Sequence, residues 1–247
     1  MTVQNTTRWT LRNVCCALLL WLAGPAAAQG FGFTPTVLNL DPTRTLNTQT
    51  TMLNTSRTAA KFRVEVRAWK VVNGEMVLQD TRDLVVNPTE FVLPGGGSQV
   101  VRVGLRKKPG AQELTFRLIV QQQSYGQSVP QSVVNADGID IKLDMPTNYS
   151  LPVYIAPPGT APRMTYDVQA ASGALTLRLE NAGTRHETFN ALTARRGDLS
   201  VNVPSFAMLG GARQSLRLEG LEKGSGPLIL SFLNAEGKAS RVTLPLP

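Results

Sequence analysis

The sequence predicts an all-β protein built from two sandwich domains. Three observations carry that reading. Short stretches of alternating apolar and polar residues recur along the chain, turns rich in glycine and proline separate them, and no capped amphipathic helix of three turns follows residue 28. With 247 residues, 16 Pro, 21 Gly and only 17% charged residues, the chain can bury one or two sizeable cores. Its best boundary is the stiff segment Pro157-Pro158-Gly159 with Pro162, which divides it into residues 29–157 and 158–247, each of ordinary domain size.

Residues 1–28 read as a signal peptide. Arg8 and Arg12 form a basic start, Val14 to Leu22 an apolar run, and Ala26-Ala27-Ala28 a small-residue cleavage site before Gln29. About nine apolar residues are too few to span a bilayer, so export without membrane insertion is expected. Both cysteines, Cys15 and Cys16, lie in this run, which leaves the mature chain with none in an oxidising compartment. Cys15 precedes most of the run instead of closing it, which argues against lipid modification. The leader has a bacterial pattern, and the destination is the periplasm. Cleavage leaves 23 basic against 17 acidic residues, a formal charge of +6 instead of +8. The excess is scattered, with only Arg106-Lys107-Lys108 and Arg195-Arg196 as clusters, unlike the aromatic-interleaved basic stripe of a nucleic-acid binder.

The first half is a run of strands. Phe33 to Leu46 is an extended segment interrupted by Pro35 and Pro42, and Thr50 to Leu53 is a short strand. Phe62, Val64, Val66 and Ala68 alternate with Lys61, Arg63, Glu65 and Arg67 ahead of Trp69, which makes a strand with one buried face. Val72-Asn73-Gly74-Glu75 signals a hairpin whose return is Met76 to Leu78. Leu84 to Leu93, broken at Asn87-Pro88, leads to the loop Pro94-Gly95-Gly96-Gly97, and Gln99 to Leu105 and Leu114 to Val120 follow as strands. Gln121 to Asp137 is polar and aperiodic and reads as a long loop. Beyond the boundary, Leu175, Leu177 and Leu179 alternate with Thr176, Arg178 and Glu180 before a turn at Asn181-Ala182-Gly183. Phe206 to Leu209, Ser215 to Leu218, Leu228 to Leu233 and Arg241 to Leu246 are further strands, with Asn234 to Gly237 as a hairpin loop.

Gly138 to Pro157 alternates for longer than a half-buried strand requires. Ile139, Ile141, Leu143 and Met145 share one parity with Tyr149, Leu151, Val153 and Ile155, and the other parity is mostly polar. Pro146 and Pro152 lack their N–H on the same side, which marks that side as a free edge. Proteins normally blunt a long apolar edge. Left open, it suits pairing with another polypeptide, where the main chain supplies affinity and alternate side chains fill pockets. The alternative is that all eight apolar residues pack into their own domain.

No catalytic machinery is visible. His186, the one histidine, reads as exposed or half-buried and leaves most metal and general-base schemes without a ligand or base. Gly224-Ser225-Gly226 lacks the spacing of a nucleophile elbow, and Pro94 to Ser98 lacks the lysine of a phosphate-binding loop. Asp140 and Asp144 would lie about 13 Å apart on a strand, beyond the roughly 5 to 9.5 Å of a glycosidase pair. No catalytic residue, metal ligand or cofactor is expected. Asn54-Thr55-Ser56 and Asn148-Tyr149-Ser150 match the glycosylation pattern, a weak signal.

Taken in order, several segments together resemble the PapD-like periplasmic chaperones of the chaperone–usher pilus pathway. They are Asn39-Leu40-Asp41-Pro42-Thr43-Arg44, Pro88 with Phe91-Val92-Leu93-Pro94-Gly95, and Ser98-Gln99-Val100-Val101-Arg102-Val103. Glu113 with Leu114 to Leu118, Tyr149-Ser150-Leu151-Pro152-Val153-Tyr154, and Asn181-Ala182-Gly183 with His186 complete the set. The resemblance spans nearly the whole mature chain, and the segment Tyr149 to Tyr154 looks most like the archaic branch. It implies two immunoglobulin-like β-sandwich domains set at an angle and no enzyme activity.

The implied partners are pilus subunits, bound by donor-strand complementation through Ile139, Ile141, Leu143 and Met145, and an outer-membrane usher that receives them. Self-association through the same edge is a further implied contact. Nucleic acid is not. The family also anchors the subunit's terminal carboxylate between two basic residues. Arg44 matches the first, whereas Pro152 stands at the usual lysine and Ala156 at a neighbouring arginine, so Arg44 is weighed against a plain surface or interdomain ion pair. Arg102 and Glu113 match a structural pair. The competing reading is an exported two-domain immunoglobulin-like adhesin or carbohydrate-binding module.

Overall fold

The computed structural model describes residues 30–124, 131–134, 140–143, 147–171 and 173–246, with the backbone alone for 131–134, 140–143 and 171. The signal-peptide segment, Ile139 and Met145 lie outside the described residues.

Among the described residues twelve strands precede the proline boundary: β1 (Phe31–Thr34), β2 (Leu38–Leu40), β3 (Asn47–Asn54), β4 (Ala60–Val72), β5 (Glu75–Asp80), β6 (Leu84–Asn87), β7 (Glu90–Leu93), β8 (Ser98–Leu105), β9 (Leu114–Gln123), β10 (Gln131–Val134), β11 (Asp140–Leu143) and β12 (Asn148–Ile155). One sheet runs β1-β3-β8-β6 and the other β2-β12-β9-β4-β5, with β7 beside β4. Alternation decides what fills the space between them. Phe62, Val64 and Ala68 of β4, Phe116, Leu118 and Val120 of β9, and Leu151, Val153 and Ile155 of β12 meet Met52, Leu84, Val101 and Val103 from the opposite sheet. Each large side chain so buried contributes about 1.5 to 3 kcal/mol.

Eight strands follow: β13 (Met164–Ala171), β14 (Ala174–Asn181), β15 (Glu187–Arg196), β16 (Leu199–Val203), β17 (Phe206–Met208), β18 (Arg213–Glu219), β19 (Leu228–Leu233) and β20 (Ala239–Leu244). They form the sheets β13-β14-β18 and β16-β15-β19-β20, with β17 against β15. The architecture is two immunoglobulin-like sandwiches in an all-β chain. Among the described residues no helix is long and apolar enough to cross a membrane.

Two expectations change here. The described residues of Gly138 to Pro157 do not share one ladder: β11 pairs with β10, with Leu143 opposite Gln131, whereas β12 pairs with β9, with Asn148 opposite Gln121. Part of the polar stretch expected to be loop is therefore a strand, because pairing with β11 offers its backbone partners that composition does not reveal.

The sandwiches share an interface. Trp69 and Tyr154, on the outward face of the first, are buried in the core of the second, with Val71 and Met76 packed beside them. The β4–β5 hairpin is fastened by the Arg213 N–H donating to the Gly74 carbonyl at 2.8 Å, and the Glu113 N–H donates to the Thr184 carbonyl at 3.0 Å.

Candidate binding edge and interdomain cleft

The direction of two backbone hydrogen bonds fixes how β12 presents itself. Gln122 donates to the Thr147 carbonyl at 3.0 Å, so odd-numbered groups face β9. Ala156 donates to the Leu40 carbonyl at 3.2 Å, so even-numbered groups face the other way, towards β2. Only Val153 to Ile155 are covered by β2. Asn148 and Ser150 thus turn their main chain to a side where no strand pairs among the described residues. Pro152 opposes Arg117 at a position that needs no N–H from it, so the proline leaves the β9 ladder intact.

The inward residues of β12 do two different things. Leu151, Val153 and Ile155 are buried in the first core, whereas Tyr149 is only partly buried. Its ring lies 5.1 Å from Phe33 and 6.3 Å from Phe31, which in turn stands edge-on to Phe62 at 4.9 Å. Burial raises the Tyr149 pKa, and a hydrogen bond with Thr147 partly offsets the rise. Phe31 and Phe33 come from β1, the edge strand of the opposite sheet, so partly exposed aromatic rings line the seam between two sheet edges. Of the four sequence-predicted donor residues, Ile141 and Leu143 lie in β11, opposite Val133 and Gln131.

Arg44 is exposed in the turn after β2, where its N–H donates to the Asp41 carbonyl. The Thr43 hydroxyl and N–H hold the Asp41 carboxyl below the usual carboxylate range, and Arg44 adds a smaller pull. A cleft of about 550 Å³ opens beside this turn, lined by Asp41, Glu113, Tyr154, Pro158 and Arg185 among others.

At the cleft the expected Arg102–Glu113 pair is not formed. Arg102 is exposed on β8, between Gln49 and Asn87 of the flanking strands. Glu113 instead holds His186, whose Nδ1 lies 2.8 Å from both carboxylate oxygens and whose backbone N–H donates to Oε2 at 2.8 Å. His186 is therefore buried, only 3% exposed, where an exposed or half-buried residue was expected. The Tyr154 ring stacks on it with centroids 3.5 Å apart. Burial pushes the Tyr154 hydroxyl up to about 12, with nearby Arg117 pulling the other way. Sequence reasoning missed Phe31 and Phe33. The alternation Phe31-Gly32-Phe33 was a usable signal for both.

Comparison with solved structures places this arrangement among known folds. A chain of the CsuC–CsuE chaperone–tip adhesion subunit pre-assembly complex, from the archaic chaperone–usher Csu pili of Acinetobacter baumannii, matches with a TM-score of 0.64 at 15% identity, covering 87% of this chain and 97% of that one. The E. coli chaperone DraB matches with a TM-score of 0.58 at 15% identity, covering 89% and 97%. A chain of the Salmonella enterica SafA pilin–SafB chaperone complex matches with a TM-score of 0.59 at 12% identity, covering 88% and 97%. At these identities the likeness establishes a shared fold over nearly the whole length. No family model and no curated protein matches the chain.

Proposed function

We propose that this protein is a periplasmic, non-enzymatic chaperone that lends the β11–β12 segment to an incomplete pilus subunit and delivers that subunit to an outer-membrane usher. The observation that carries the reading is the main-chain edge at Asn148 and Ser150, unpaired among the described residues and following the strand that holds Ile141 and Leu143. The shared fold with chaperones crystallised with a tip adhesion subunit or a pilin supports it. Ile139, Ile141, Leu143 and Met145 would enter the subunit's core. Four such side chains supply roughly 6 to 12 kcal/mol before ordering and association costs. Arg44 is proposed as a surface contact for the subunit's terminal carboxylate, and without a subunit the edge would pair with that of a second copy.

Coexpression with a pilin-like guest tests the proposal. A soluble one-to-one complex is expected, and Ile141→Asp combined with Leu143→Asp should abolish it while circular dichroism shows the sandwiches folded. A complex that survives both changes sinks the reading, and export of the protein to the cell surface with ligand binding intact would favour an adhesin.

A further inference from the structure

We propose that Asn73 is a site of spontaneous modification at the clasp between the two sandwiches. The main-chain nitrogen of Gly74 displaces the Asn73 side-chain amide, and water then leaves aspartate or isoaspartate in its place. The proposal is independent of the chaperone reading. Asn73-Gly74 is the only Asn-Gly pair in the sequence. Val72 and Glu75 face one another across the β4–β5 ladder, so these two residues make the whole turn. Both take the positive φ that such a turn demands, 54° and 87°. Glycine has no Cβ to shield its nitrogen from an approaching side-chain carbon.

Freedom sets this asparagine apart. At Asn54, Asn181 and Asn234 both reacting groups are already committed. The amides of Asn54 and Asn181 are held by main-chain carbonyls, and the Asn234 oxygen accepts from the Glu236 and Lys238 N–H groups. The N–H groups that follow them are bonded too: Thr55 donates to the Gly30 carbonyl at 2.9 Å, Ala182 to the Arg163 carbonyl at 2.8 Å, and Ala235 to the Glu187 carboxylate at 2.9 Å. Asn73 is exposed, and neither its side chain nor the Gly74 N–H has a hydrogen-bond partner among the described residues. The side chain can therefore turn its Cγ onto the Gly74 nitrogen. There the N–Cγ bond forms, the Cγ–Nδ2 bond breaks, and the Gly74 amide proton leaves with Nδ2 as ammonia. Water opens the cyclic imide at Cγ to give aspartate, or at the main-chain carbonyl carbon to give isoaspartate.

The position of the turn gives the reaction its consequence. The Gly74 carbonyl accepts the Arg213 N–H at 2.8 Å, and Asn73, Gly74, Glu180 and Arg213 line one cavity of about 580 Å³. Isoaspartate adds a main-chain methylene to a two-residue turn, and either product adds a carboxylate near the Arg213 guanidinium, which Glu180 holds at 3.1 Å. A lengthened turn cannot keep both its ladder register and the bond to Arg213, because loop length and turn type fix the register of a hairpin. The clasp opens.

Incubating the exported chain in mildly alkaline buffer and mapping its peptides tests the proposal. The peptide that holds Asn73 should gain one mass unit as ammonia is released, at least tenfold faster than the peptides that hold Asn54, Asn181 or Asn234, and an isoaspartyl methyltransferase should label it. Asn73→Gly, which accepts the positive φ of the turn, should abolish the label. Conversion at Asn73 no faster than at the other three asparagines, or a label that survives in Asn73→Gly, overturns the assignment. In the isoaspartate form, separated from the fresh chain by its added charge, the Arg213 amide should exchange with solvent at least tenfold faster than before. Equal protection of that amide in the two forms overturns the link to the clasp.

Discussion

The two sandwiches share a corner and differ at the rim. In the first, the buried Asn54 donates through Nδ2 to the carbonyls of Thr58, Leu93 and Pro94, and its Oδ1 accepts from the Ser56 N–H. In the second, the buried Asn181 donates to the carbonyls of Arg185 and Met208 and accepts from the N–H groups of Arg163 and Gly183. The aromatic residues part company. Phe189 is fully enclosed at the centre of the second core, with Phe206 and Phe232 4.8 and 4.6 Å away. Phe31, Phe33 and Tyr149 of the first lie partly exposed along a seam between two sheet edges. The second sandwich also takes Trp69 and Tyr154 into its core, whereas the first core is made of its own residues alone. One sandwich encloses its aromatic residues and takes in side chains of the other, whose aromatic rim stays partly exposed.

Substitutions can break or sharpen that contrast. The largest effect is expected for Phe189→Ala, which should cost about 3 to 5 kcal/mol in urea unfolding, against about 1 kcal/mol for Phe33→Ala. Equal costs would mean that the rim is as closed as the centre. Asn54→Ala and Asn181→Ala should each cost about 2 to 3 kcal/mol, because each strands buried groups at the same kind of corner. If only one of them mattered, the shared corner would be an accident of geometry. Glu113→Gln should cost about 1.5 to 3 kcal/mol and separate the unfolding of the two sandwiches when followed by Trp69 fluorescence and by circular dichroism.

The smallest effect is with pH. Burial pushes Tyr154 and Tyr166 up to about 12, so between pH 10 and about 12 the unfolded chain gives up protons that the folded one keeps. Their contribution is complete below pH 10 and is lost as the pH rises through that window. Tyr154→Phe should flatten the alkaline fall.

Much of this was legible in the sequence, because strands that bury one face must alternate. The strand Phe62 to Ala68, the hairpin at Asn73-Gly74 and the Leu175 to Leu179 strand all follow from that rule. β15 escaped it for a physical reason. Its register shifts between Asn190 and Thr193, Ala191 takes a φ of 50°, and the inward parity passes from Phe189 to Leu192 and Ala194. The weak glycosylation pattern at Asn54 marks a structural residue instead, whose amide is committed to three carbonyls inside the fold. The Glu113–His186 pair and the stacking of Arg117 on Trp69 join residues far apart in the chain. No local pattern encodes such contacts.

Residue-resolved hydrogen exchange along β12 tests the open rim most directly. The amides of Tyr149 and Leu151, which face β9, should be protected in the free chain and in a guest complex alike. Those of Asn148 and Ser150 should exchange quickly in the free chain and become protected only when a guest is bound. Strong protection of Asn148 and Ser150 in the free monomer would contradict the account, since the edge would then already be filled.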